Sequence, residues 1–175
     1  MRLLGALTVA ALIGTSIGLA NATPSRPAML TVASNTFRAQ MMVPDRMTCN
    51  GRNISPELHW SSGPERTSSY AVTVWDPDAP ARGGWWHWVL FDISSLTHRI
   101  AEGQGAGTSG TTSSNGPGYS GPCPPAGAAH HYRFTVYALD VKHIGADPET
   151  TGPQLLGKMK GHILAQGVLI GLYKR

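Results

Sequence analysis

Short apolar runs rich in β-branched and aromatic residues, each closed by turn-forming residues, dominate the chain from Met29 onward. MLTVAS (Met29–Ser34), SYAVTVW (Ser69–Trp75), HWVLFDI (His87–Ile93) and HYRFTVYALDV (His131–Val141) predict strands. Such side chains fit a pleated, half-buried surface. One stretch has another period. In GPQLLGKMKGHILAQ (Gly152–Gln166), Leu155, Met159 and Ile163 recur at helical spacing and Pro153 suits a first turn, which predicts a helix. A last apolar strand, GVLIGLY (Gly167–Tyr173), follows it. The pattern predicts a mainly β fold with a helix near the C-terminus.

Alternation sorts the side chains into faces, because residues two apart on a strand share one. His130, Tyr132, Phe134, Val136 and Ala138 fall together on the more apolar face, with His130 and Tyr132 at its mouth. His131 and Arg133 fall on the wetter one. The same sorting puts His87 on a face with Val89, Phe91 and Ile93.

Composition adds the setting. Arg2, the apolar run Leu3–Leu19 and the small residues Ala20–Ala22 have the layout of a secretory signal over residues 1–22. An uncleaved membrane anchor is the alternative, since the run approaches spanning length. The expected mature chain is one domain over 23–175, periplasmic or secreted, with no stable membrane insertion after cleavage. The formal net charge of +4 comes from scattered basic residues, not from a stripe, which argues against a nucleic-acid partner. The chain has two cysteines, Cys49 and Cys123. An even count in an exported chain predicts a disulfide, with two buried free thiols as the alternative. Such a bridge would close a long loop and contribute about 4 kcal/mol on the chain-entropy model. Between Glu102 and Ser120 the chain is nearly all Gly, Ser and Thr, which predicts a long surface loop with a functional or mobile role.

The candidate chemistry is concentrated in WDPDAPARGGWWHW (Trp75–Trp88). Asp76 and Asp78 lie where a strand runs into Pro77 and Pro80, which hold the preceding backbone extended. Asp76, Asp78, His87, His130 and Tyr132 together predict a pocket at the strand mouths, because buried polar groups gathered there each need a partner. Taken singly, each residue could equally be a satisfied turn or packing residue.

Five segments in order carry a resemblance: CNGRNISPELHW (Cys49–Trp60), DPDAP (Asp76–Pro80), WWHW (Trp85–Trp88), GYSGPCPP (Gly118–Pro125) and HHYRFTVYALD (His130–Asp140). They resemble the phosphatidylethanolamine-binding protein family, in particular its bacterial Raf-kinase-inhibitor-like branch, the YbhB/YbcL group. The resemblance implies a large β-sheet core, or sandwich, with a few peripheral helices and a small anion pocket. It implies pocket roles for Asp76, His87, the His130/Tyr132 pair and the Gly121–Pro122 turn. Asp78, Pro80 and Trp85 complete the expected ligand-binding set, as a carboxylate, a turn and an apolar rim. The chain departs from the family pattern at Glu57, where a proline is usual, and in the loop 102–115.

The expected function is binding of a small anion or phosphorylated head group, without catalysis and with no metal or cofactor. Tyrosine hydroxyl, histidine N–H and glycine backbone are the donors an anion needs. If a histidine is the donor, binding weakens as pH rises past the ordinary histidine range near 6.5. Other readings are weaker. A metal-dependent hydrolase lacks His-x-His or His-x-x-x-His spacing, and a serine hydrolase lacks the Gly-x-Ser-x-Gly elbow. A protein-interaction modulator, of the kinase- or protease-inhibitor kind, could present the Gly/Ser/Thr loop to a protein partner.

Overall fold

The computed structural model describes residues 28–175. The expected signal segment lies outside these described residues. Four long strands build the main sheet: β5 (Ser69–Asp76), β6 (Trp85–Ser94), β9 (His130–Leu139) and β10 (Ile163–Tyr173). β5 runs antiparallel to both β6 and β9, and β9 runs antiparallel to β10. Short pieces complete the edges. β1 (Ala28–Met29) and β3 (Met41–Met42) pair in parallel with β10, and β8 (Thr108–Ser109) pairs with β6. β2 (Val32–Ala33), β4 (Leu58–Trp60) and β7 (Arg99–Ile100) form a separate three-stranded sheet.

The two faces of the main sheet are buried differently. One packs Val72, Val74, Trp88, Leu90, Phe134, Val136 and Leu169 against Leu58, Trp60 and Ile100 of the small sheet. The other packs Ala71, Val89, Phe91, Tyr137 and Leu139 under Leu155 and Met159 of the helix α1 (Gly152–Met159). Val72, Val74, Phe134 and Val136 are fully buried, each worth about 1.5–3 kcal/mol of transfer free energy. The fold is mainly β, as the pattern predicts. Among the described residues no helix is long and apolar enough to cross a membrane.

Three expectations need correction. The helix stops at Met159, not Gln166. Gly161 adopts φ +89°, a left-handed turn that ends the helix, and Ile163 then pairs with Leu139. Ile163 suits either period, and pairing along all of β9 decides for strand. Second, Met29–Ser34 is not one strand. It leaves the large sheet at Leu30, whose N–H bonds the Gln166 carbonyl, and enters the small sheet at Val32, which pairs with Trp60. Third, His87 does not share a face with Val89, Phe91 and Ile93. The β5–β6 register slips between Tyr70↔Ile93 and Val72↔Leu90, and again between Val74↔Trp88 and Trp75↔Trp86. Each slip adds a residue on β6, turning Ile93 at one end and His87 at the other away from Val89 and Phe91.

The Gly/Ser/Thr stretch is not a free loop. Gly110 N–H bonds the Val89 carbonyl, Ser113 N–H the Trp86 carbonyl and Ser120 N–H the His87 carbonyl. It lies along β6 and covers an edge that would otherwise be open to pairing.

Candidate functional site

Antiparallel pairing builds the site. Because β5 opposes both β6 and β9, its last residue meets the first residues of its two neighbours. Asp76 pairs with Trp85, and Trp75 with Arg133. Asp76, Trp85, His87, His130 and Tyr132 therefore gather at one end of the sheet and line a cavity of about 290 Å3. The β5–β6 hairpin loop adds Pro80, the Gly/Ser/Thr stretch adds Ser114 and Ser120, and the segment after it adds Gly121 and Cys123.

Asp76 is almost fully buried, and its carboxylate is satisfied. Oδ1 accepts the backbone N–H groups of Asp78 at 2.8 Å and Ala79 at 3.1 Å. Oδ2 pairs with His130 Nδ1 at 2.8 Å. Asp76 thus orients His130 and leaves Nε2 of that ring free. His87 comes in from the bulge on β6, a device that re-aims a side chain beside a site. Its Nδ1–H donates to the Ser120 carbonyl at 2.6 Å. Its ring lies edge-on to Tyr132, with centroids 5.1 Å apart.

Among the described residues, two buried polar atoms here have no hydrogen-bond partner: His87 Nε2 and the Tyr132 hydroxyl. Burial lowers the His87 pKa, although the Ser120 carbonyl and Asp76 work the other way. Burial and the neighbouring Asp76 carboxylate push the Tyr132 phenol well above its ordinary range. Near neutrality the floor therefore presents a neutral imidazole with a lone pair and a phenol that keeps its hydrogen. The expectation that His87 is a donor is corrected on this point, since its one hydrogen is already given to Ser120.

The other expected residues divide. Pro80 and Trp85 line the cavity, and Gly121 does too, but not as an anion donor. The Gly121 N–H is held by Asn53 Oδ1 at 2.7 Å, and a Cβ there would collide with the Met47 carbonyl oxygen. Close packing explains that glycine. Pro122 lies behind the wall, its carbonyl accepting the Cys49 N–H. Asp78 points away from the cavity and pairs with His131 Nδ1 at 2.7 Å. That pairing holds the Asp78 pKa low against partial burial. Cys49 and Cys123 form a disulfide with Cα atoms 5.4 Å apart, and Cys123 is part of the cavity rim. Ser114 and Ser120 were not among the expected residues. Their hydroxyls lie 3.0 Å apart. Among the described residues no group of three or more His, Cys, Asp or Glu is placed to hold a metal ion.

The model of the family described as "Phosphatidylethanolamine-binding protein" matches residues 33–174. The chain belongs to the phosphatidylethanolamine-binding protein family. A UPF0098 protein of Aquifex aeolicus is 40% identical over 85% of this chain and 90% of its own length. UPF0098 protein YbhB of Escherichia coli is 35% identical over 80% of this chain and 97% of its own. The crystal structure of E. coli YbcL, described as a new member of the mammalian PEBP family, superposes with a TM-score of 0.80 at 31% identity. That match covers 85% of this chain and 99% of YbcL. The family match spans all the strands that supply the cavity.

Glu57 is a buried hub of the small sheet. It accepts the Asn35 N–H at 2.7 Å and Arg99 Nε–H at 2.9 Å, and pairs with His59 Nδ1 at 3.0 Å. These bonds hold its pKa below the ordinary carboxylate range, against the opposing effect of burial. It lies outside the cavity lining and ties β4 and β7 to the segment that follows β2.

Proposed function

We propose that this protein binds a small anion, a free phosphate or a phosphorylated head group, in the cavity at the end of the main sheet, and leaves it chemically unchanged. The observation that carries the reading is the pair of unpartnered buried atoms, His87 Nε2 and the Tyr132 hydroxyl, in the floor of a concave site. Unsatisfied buried polar groups are costly, and a ligand that pairs with them recovers that cost. The Tyr132 O–H is a donor, and His130 Nε2 becomes one when its ring is protonated beside Asp76. Asp76 has its oxygens committed to three hydrogen bonds within the protein, one of which orients His130 toward the cavity.

Nothing in this arrangement requires a nucleophile. The cavity serines lie beside each other and, among the described residues, no base is bonded to either hydroxyl, in contrast to an activated serine. The signal-like residues 1–22 and the disulfide at the cavity rim support an exported protein. Calorimetric titration with inorganic phosphate and phosphoethanolamine tests the reading. Binding that is lost in His130→Ala and weakened in Tyr132→Phe is the expected result. Absence of binding, or equal affinity in His130→Ala, would overturn it.

A further inference from the structure

His87 carries a nitrogen that no group among the described residues satisfies. A carbonyl can only accept, so the bond to Ser120 fixes the hydrogen on Nδ1. Nε2 is then a lone pair in the neutral ring, shielded from solvent and without a partner. The ring is 4% exposed and lines the cavity. Asp76 reaches it from β5, which favours a proton, and His130 from β9, which disfavours one. Tyr132 lies edge-on, and the Ser114 and Ser120 hydroxyls engage each other. Asp76 has its oxygens committed to Asp78, Ala79 and His130. Burial prevails, and the ring stays neutral near neutrality.

The floor therefore offers two unlike partners in contact: a hydroxyl with a hydrogen to give, and a lone pair that needs one. Building on the anion-pocket reading, we infer that the cavity selects anions that bring their own hydrogen, namely hydrogen phosphate and phosphate monoesters, over sulfate and phosphate diesters. One oxygen of the preferred ligand accepts from Tyr132, and its P–OH donates to His87 Nε2. Phosphate monoesters retain that proton with a second pKa near 6, so a usable fraction carries it at neutral pH. Sulfate and diesters present lone pairs only. Either they face the His87 lone pair unpaired, or a proton must be placed on a buried ring. A free phosphorylated head group fits the site better than the same group inside an intact phospholipid, where the phosphate is a diester.

Calorimetry on the disulfide-intact protein at pH 6.5 tests this with four probes: inorganic phosphate, sulfate, methyl phosphate and dimethyl phosphate. Phosphate and sulfate are nearly the same size, so fit does not set their ratio, and the larger charge of sulfate at this pH works against the expected order rather than for it. Phosphate should bind at least about tenfold tighter than sulfate, and methyl phosphate tighter than dimethyl phosphate by a similar factor. In His87→Gln, turning the amide NH2 into the cavity replaces the lone pair with a donor, and the phosphate-to-sulfate ratio should fall to within about twofold. If that variant does not fold, the two wild-type ratios decide alone. Equal affinity for phosphate and sulfate would overturn the selectivity and leave the anion reading standing. No binding of any of the four would overturn both.

Discussion

Two buried carboxylates organise this protein, and they are used in opposite ways. Glu57 and Asp76 have side chains 5% and 3% exposed, and each pairs with a histidine. Around Glu57 every bond is closed within the protein: a backbone N–H, an arginine and a histidine meet it, joining β4, β7 and the segment after β2. Around Asp76 the carboxylate is satisfied but its surroundings are not, since His87 Nε2 and the Tyr132 hydroxyl beside it stay unpaired. Histidine next to carboxylate is therefore not the mark of a site. The mark is a buried polar group left without a partner where a concavity gives access.

The region around the cavity also depends on a covalent bond, which the Glu57 hub does without. The disulfide spans 74 residues and ties the Gly121–Pro125 wall to the Thr48–Asn53 turn. Replacing both cysteines by alanine should give the largest effect, a loss of about 4 kcal/mol in urea denaturation. Phosphate affinity should fall with it, because Cys123 belongs to the cavity rim. A double variant that keeps full affinity would show that the wall stands without the bridge.

Glu57→Gln should come next. It removes the charge and turns one acceptor into a donor facing Asn35, Arg99 and His59, at a cost of about 1–2 kcal/mol. Arg99 and His59 are partly exposed and regain water, which limits the loss. Phosphate affinity should stay within about twofold by calorimetry. A larger fall in affinity would mean that the hub and the cavity are not separate.

Tyr132→Phe should do the reverse. Removing an unpartnered buried hydroxyl takes away an unmet polar group, so unliganded stability should stay level or rise by up to about 1 kcal/mol. Phosphate affinity should fall about tenfold, since the same hydroxyl is the donor in the floor. Thermal unfolding and calorimetry on one preparation check both halves. A destabilised variant would show that the hydroxyl is satisfied in the unliganded protein.

How much of this could be read from the chain depends on length and on irregularity. β5, β6, β9 and β10 were legible because eight to eleven residues carry a clear period. β3, β7 and β8 were not, since two residues carry none. The Gly/Ser/Thr stretch reads as a long surface loop, and its attachment to β6 is not legible because those bonds come from its own backbone, which composition does not report. Within the site, alternation separated His130 and Tyr132 from His131, and the structure keeps that division. Alternation failed at His87, because a bulge shifts the period by one residue without a local sign. Asp76 and Asp78 looked alike in a proline turn. Strand pairing distinguishes them, holding Asp76 at the end of β5 and leaving Asp78 in the loop to meet His131.

The smallest expected effect separates the two carboxylate regions by pH. Burial lowers the His87 pKa from its ordinary 6.5, so in acid the unfolded chain takes a proton before the folded one does. Its contribution is therefore fully present above pH 6.5 and declines as pH falls from there through the folded value. Glu57 is also lowered, from 4.5, and for a carboxylate this means the folded state keeps the charge longer. Its contribution is present above pH 4.5 and is lost as pH falls through the folded value. The two regions should thus weaken in succession on acidification, the cavity first and the hub second. Melting temperatures between pH 8 and 3 should show both losses in the wild type, only the lower one in His87→Gln, and only the upper one in Glu57→Gln. Sulfate should oppose the upper loss, because an anion in the cavity favours the protonated ring of His87 and has no purchase on Glu57. If the His87→Gln profile kept its shoulder below pH 6.5, the neutral buried imidazole could not be its source, and the lone pair assigned to Nε2 would lose its support.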